Sequence, residues 1–259
     1  MPLARPSPLL PGLLSAALLL AGCAAGPARV AEPDADQRRA QTRLALATAY
    51  FEQGQAETAL EEVDRALAAD PLLAPAHGLR GLAQASLGQN VAAQASFTRA
   101  LELAPRDADT LHNHGWFLCQ QQRWDEAQSR FEQALAQPDY RGTARSLLAL
   151  GVCQGRAQRW EAAEHSLARA FELDPANTAT ALGLAEVLLR RGDAERARWH
   201  VERVSRSGTP ADAQTLWLAA RIEHRLGRHA AVEAFGRELR QRYPQAPQTL
   251  ALDQGRFDD

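Results

Sequence analysis

The 259-residue chain has no lysine. All 29 of its basic residues are arginine, and against 31 acidic ones they leave a net charge of −2. A balance this close to neutral offers no basic excess or stripe, so nucleic acid is not a partner the sequence proposes. Long hydrophobic runs are also missing. The one apolar stretch, Leu9 to Leu20, has about a dozen residues, short of the ~20 needed to cross a bilayer as a helix. Nucleophile elbow, P-loop, HExxH and dinucleotide fingerprint are all absent. Glu57, Glu61 and Glu62 fall at helical spacing and are expected on a solvent face. These absences argue against an enzyme, and no cofactor and no metal is expected. His112 and His114 stand two apart, which on a helix turns them about 200° from each other, so they cannot share an ion. His165, His200, His224 and His229 are expected to be scattered over helix surfaces.

What is present begins with a leader. Arg5 and the apolar stretch after it have the dimensions of a signal peptide over residues 1–22. The stretch ends in Leu20-Ala21-Gly22-Cys23, which resembles the lipobox of bacterial lipoproteins, with Cys23 as the lipid acceptor. Two or three acyl chains hold a protein firmly to a membrane where one does not. Residue 24 is Ala rather than Asp, which by resemblance to lipoprotein sorting signals implies the outer membrane. Residues 23–39, small, Pro-containing and charged, read as a lipidated N-terminus and flexible tether.

From about Ala40 the chain is rich in alanine and leucine and repeats itself. Pro71 and Pro105 are 34 residues apart, the tetratricopeptide (TPR) period. The fullest copy is Leu111 to Ala134, with Gly115, Ala127, Phe131 and Ala134 as markers. Small residues at the two crossings let antiparallel helices touch, and a bulky residue fills the remaining space. Six copies follow from aligning these positions over residues 40–244. They slip twice, by two residues at Pro138–Arg141 and by one at 205–210, both between repeats. The fold expected is an all-α, right-handed TPR superhelix of six repeats and about twelve helices. Residues 245–259 are expected to form a tail or a cap.

In such a stack the first helix of each repeat faces a concave groove. The groove positions are Leu44, Thr48 and Phe51, then Gly78, Leu82 and Ala85. His112, Trp116 and Cys119 follow, then Leu148 and Val152, then Leu182, Glu186 and Leu189. The surface is largely apolar, as a protein-binding face is. Trp116 reads equally as a groove anchor or as core between the third and fourth repeats. The paired Asn and Lys/Arg clamp that holds acidic chain termini is missing. Cys119 and Cys153 sit on first helices of adjacent repeats at different depths. That favours two separate buried or groove-lining thiols over a disulfide, even in an oxidising compartment.

The third repeat also carries Leu111-His112-Asn113-His114-Gly115-Trp116-Phe117-Leu118-Cys119. This string, with the lipobox, the repeat count, the insertion near Tyr140 and Arg242-Tyr243-Pro244, resembles the PilW/PilF type IV pilus biogenesis lipoproteins, which act as pilotins. Histidines replace two of that family's string residues, an Asn and a Tyr. The resemblance implies an outer-membrane lipoprotein, facing the periplasm, that binds the pilus secretin subunit and promotes its localisation and multimerisation. An outer-membrane adaptor for peptidoglycan enzymes or barrel assembly is the other reading of a lipobox joined to repeats. The third-repeat string argues against it.

Overall fold

The computed structural model describes residues 34–206, 208 and 210–258. The leader and Cys23 lie outside the described residues. Those described form thirteen α-helices and no strand. Six helix pairs come first: α1 (Ala35–Glu52) with α2 (Ala56–Ala69), α3 (Ala74–Ser86) with α4 (Asn90–Leu103), and α5 (Ala108–Gln120) with α6 (Trp124–Leu135). Next are α7 (Thr143–Arg156) with α8 (Trp160–Leu173), α9 (Thr178–Arg190) with α10 (Ala194–Arg206), and α11 (Ala213–Arg225) with α12 (His229–Arg242). The last is α13 (Pro247–Asp253). Each helix packs on its chain neighbours, and the first helices of successive repeats also touch one another while the second helices do not. First helices therefore crowd the inner side of the curve. None of the described helices is long and apolar enough to cross a membrane.

Side-chain sizes at the helix crossings explain the period. Ala47, Gly81, Gly115, Gly151, Ala185 and Ala220 occupy one position in the six first helices. Where that residue is glycine its partner is large: a Cβ on Gly81 would sit 3.0 Å from the Phe97 ring, and one on Gly115 3.1 Å from Phe131. Where it is alanine the core around it is filled by valine, Val63 beside Ala47 and Val201 beside Ala185. The summed volume is kept, as close packing demands. In the sixth repeat the bulky position falls on Gly236, and Leu252 of α13 fills the space, 3.0 Å from where a Cβ would be. The tail or cap expected after Pro244 is a cap, and this gap is what it closes.

One boundary moves, and two residues expected on the surface are buried. The tether expected through residue 39 ends earlier, because Asp34 and Gln37 form a reciprocal capping box that starts α1 at Ala35. Glu62, expected in solvent, is 5 % exposed between Arg43 and Arg65. The hydrogen bond from Arg43 holds its carboxyl below the usual carboxylate range. His200 likewise is buried, edge-on to Phe171 and Trp199.

Candidate functional site: the concave groove

The groove is laid down by the first helices, and their caps fix where each begins. Asp107, Asn177 and Asp212 each accept the backbone N–H three residues on, in the third, fifth and sixth repeats. In the fourth repeat, after the two-residue insertion, α7 follows Gly142 with no side-chain cap, and the Tyr140 hydroxyl lies 2.7 Å from Ser146 Oγ. His112 Nδ1 reaches the same Ser146 Oγ at 2.8 Å. The insertion thus ties the turn to both repeats it separates.

Leu44, Thr48 and Phe51 line α1 half-buried, and Leu44 and Phe51 rest on the core of the first two repeats. Leu82, Ala85, Trp116, Leu148 and Val152 continue the surface, also half-buried. The Trp116 ring packs on the core around Phe117 and Phe131, with the Arg156 guanidinium 5.2 Å from its centroid. It is part core and part surface. Gly78 is buried against Thr110.

Four expected groove residues are not on the surface: Gly78, His112, Cys119 and Leu189. His112 is turned toward α7 and Cys119 is 1 % exposed. Cys119 forms a disulfide with Cys153, with Cα atoms 5.8 Å apart. The expectation of two separate thiols is overturned. The cysteines are 34 residues apart where the local register is 36. That places them half a turn out of step, and the packing of α5 against α7 brings the offset positions face to face. His112 and His114 do point apart: His114 stacks on Phe97 of the second repeat, centroids 5.2 Å apart. Burial pushes both imidazoles down to about 4.

Between the fourth and fifth repeats the groove deepens into a cavity of about 320 Å³. Val152, Trp160, Leu167 and Val187 give it an apolar lining, and Arg156, Glu186 and Arg190 its charges. Gly155 and Gly183 on its walls carry no side chain to fill it. Beyond it the groove turns polar. Arg221, 5 % exposed, holds both carboxylate oxygens of Glu186 at 2.9 and 3.0 Å. Trp217, Arg221 and His224 are the sixth repeat's counterparts of Leu182, Glu186 and Leu189, 35 residues on. The repeat register alone names them as groove positions, one repeat beyond the last of those expected.

Models of the tetratricopeptide repeat match residues 44–108, 106–176 and 156–216. The type IV pilus assembly protein PilF of Pseudomonas aeruginosa is 25% identical over 201 residues, covering 78% of this chain and 79% of that protein. An uncharacterised protein of Haemophilus influenzae is 28% identical over 138 residues, covering 53% of this chain and 77% of its own. Among solved structures, that of PilW, described as a widely conserved type IV pilus biogenesis factor, superposes with a TM-score of 0.78 at 26% identity. The match covers 82% of this chain and 97% of PilW. The structure of Pseudomonas aeruginosa pilF gives a TM-score of 0.77 at 22% identity, over 86% of this chain and all of that one.

Proposed function

For a chain that belongs to the tetratricopeptide-repeat family and is homologous to PilF, we propose a role as a pilotin. In this reading it is an outer-membrane lipoprotein that binds the type IV pilus secretin subunit and promotes its localisation and multimerisation. The observation that carries the reading is the combination of that homology with a groove whose first four repeats present Leu44, Phe51, Leu82, Trp116, Leu148 and Val152 half-buried. Half-buried apolar side chains along a concave face suit a partner helix or strand with spaced apolar anchors. Aromatic anchors contribute most in such interfaces, about 2 kcal/mol or more each when fully desolvated. Cys23 accepts the lipid, and the body works in the periplasm on the membrane's inner face.

Deletion of the gene tests the reading directly. Heat-resistant secretin multimers and surface pili are expected to fall together and to return with the wild-type gene. Unchanged multimers in the deletion strain would remove the proposal. Cys23→Ser is expected to leave a folded protein that fractionates away from membranes; a mutant still in the outer membrane without its secretin partner would show that Cys23 is not the anchor.

A further inference from the structure

The segment after α13 does not stop at the cap. Leu252 already closes the end of the last repeat, yet residues 254–258 continue onto the concave face and settle on the sixth repeat's groove positions. The Phe257 ring stacks on His224 with centroids 4.0 Å apart and planes 9° apart, and on Trp217 at 5.3 Å. Arg221 Nε donates to the Phe257 carbonyl at 3.1 Å, and Arg190 to the Asp258 carbonyl at 3.3 Å. Arg225 reaches the Asp258 carboxylate at 3.5 Å.

These are the contacts of a recognition site. Two flat rings grip an aromatic side chain, arginines from two first helices read the main-chain carbonyls, and a third takes the carboxylate that follows. Arg221 is itself held in place from behind by Glu186, so the carbonyl-binding guanidinium is oriented before anything docks. A cap needs none of this, since an apolar plug suffices to cover an end. The segment also underfills its seat: about 150 Å³ remains open among Leu189, Arg190, Arg221 and Arg225.

We propose that the concave face of the fifth and sixth repeats is a second protein-binding site, separate from the apolar groove of repeats one to four. It recognises a peptide segment in which an aromatic residue precedes an acidic one, and residues 254–258 occupy it in cis until such a partner segment displaces them. This inference rests on the contacts of Phe257 and Asp258 and stands whether or not the partner of the first repeats is a secretin.

The test uses the full chain and a fluorescein-labelled peptide with the sequence of residues 253–258, read by fluorescence anisotropy. Phe257→Ala empties the ring seat, and the labelled peptide is then expected to bind at least ten-fold more tightly than to the wild type. A peptide with alanine for the phenylalanine is expected not to bind. Asp258→Arg, a change at an exposed residue that leaves the rings in place, serves where Phe257→Ala lowers the melting temperature, and it too is expected to raise affinity for the peptide. Arg225→Glu added to either variant is expected to take the gain away. If neither variant, folded by circular dichroism, binds the peptide more tightly than the wild type, the segment is a cap and the proposal is wrong.

Discussion

In the third repeat α5 buries eight of its thirteen residues, whereas in the first α1 buries two of eighteen. Part of the contrast is position, because among the described residues α1 has a neighbouring repeat on one side only. The rest is chemistry confined to the middle of the stack. There, and among the described residues only there, a disulfide joins adjacent first helices, two buried histidines bond in opposite directions, and Tyr140 bolts the intervening turn to Ser146. The turns differ as well. Gly54, Gly88, Gly192 and Gly227 close the first helices of the flanking repeats with positive φ, and in the third and fourth repeats the same left-handed position is held by Gln122 and Gln158, both at φ 59°. Side chains with a Cβ are strained there and glycine is not. A middle that tolerates this strain is over-determined by its other contacts. The first repeat, with little of its inner face committed, is where a partner can find apolar surface.

The largest expected effect is on the middle and comes from acid. His112 and His114 are neutral in the fold, with values near 4, while unfolded imidazoles titrate near the ordinary 6.5. Below 6.5 the unfolded chain takes up protons that the fold refuses, so stability present above that pH is lost as it falls toward 4. At pH 5 the loss is about 2 kcal/mol per ring. Burial lowers His77 and His200 in the same direction. Urea midpoints at pH 7 and pH 5 measure this, and equal midpoints would show that the two rings are solvated.

Cutting the middle's covalent tie comes next. A bridge across 34 residues contributes about 2–4 kcal/mol by restricting the unfolded chain. Cys119→Ser with Cys153→Ser should lower the midpoint accordingly, and reductant should lower the wild type but leave the double variant unmoved.

Gly115→Leu drives a side chain into the Phe131 ring and is expected to cost about 1–3 kcal/mol, or more if the repeat cannot relax. The same change at Gly54, where nothing lies within 4 Å of a Cβ, should act through backbone strain alone. Similar melting curves for the two would undo the volume argument for the period. Smallest is Gln122→Gly, which relieves the left-handed strain and forfeits some rigidity of the unfolded chain. A net gain below about 1 kcal/mol is expected, visible as a small rise in melting temperature.

Much of this contrast could be read in the sequence, and what could not has a common cause. The crossing residues recur at the repeat spacing and therefore declare themselves: Gly115 with Phe131 is visible in one dimension because both lie in a single helix pair. The Cys119–Cys153 bridge joins two repeats, and pairing there depends on how α5 and α7 lie against each other, which spacing along one helix does not encode. The burial of His112 and Cys119 escapes the sequence for the same reason. Glu62 lies within one helix pair, but its cover by Arg43 depends on how α1 crosses α2, which helical spacing does not encode either. The start of α1 was in principle legible, since Asp34 and Gln37 have capping-box spacing. The docking of Phe257 on Trp217 and His224 was not, because residues 254–258 belong to no repeat.

We propose that the apolar groove of the first four repeats holds the partner while the middle keeps the stack rigid. It is tested most directly by secretin pull-down with a Phe51→Ala, Trp116→Ala double variant whose fold is checked by circular dichroism. A helical, cooperatively melting protein that recovers at least ten-fold less secretin than the wild type is expected. Wild-type recovery by a folded double variant would contradict it.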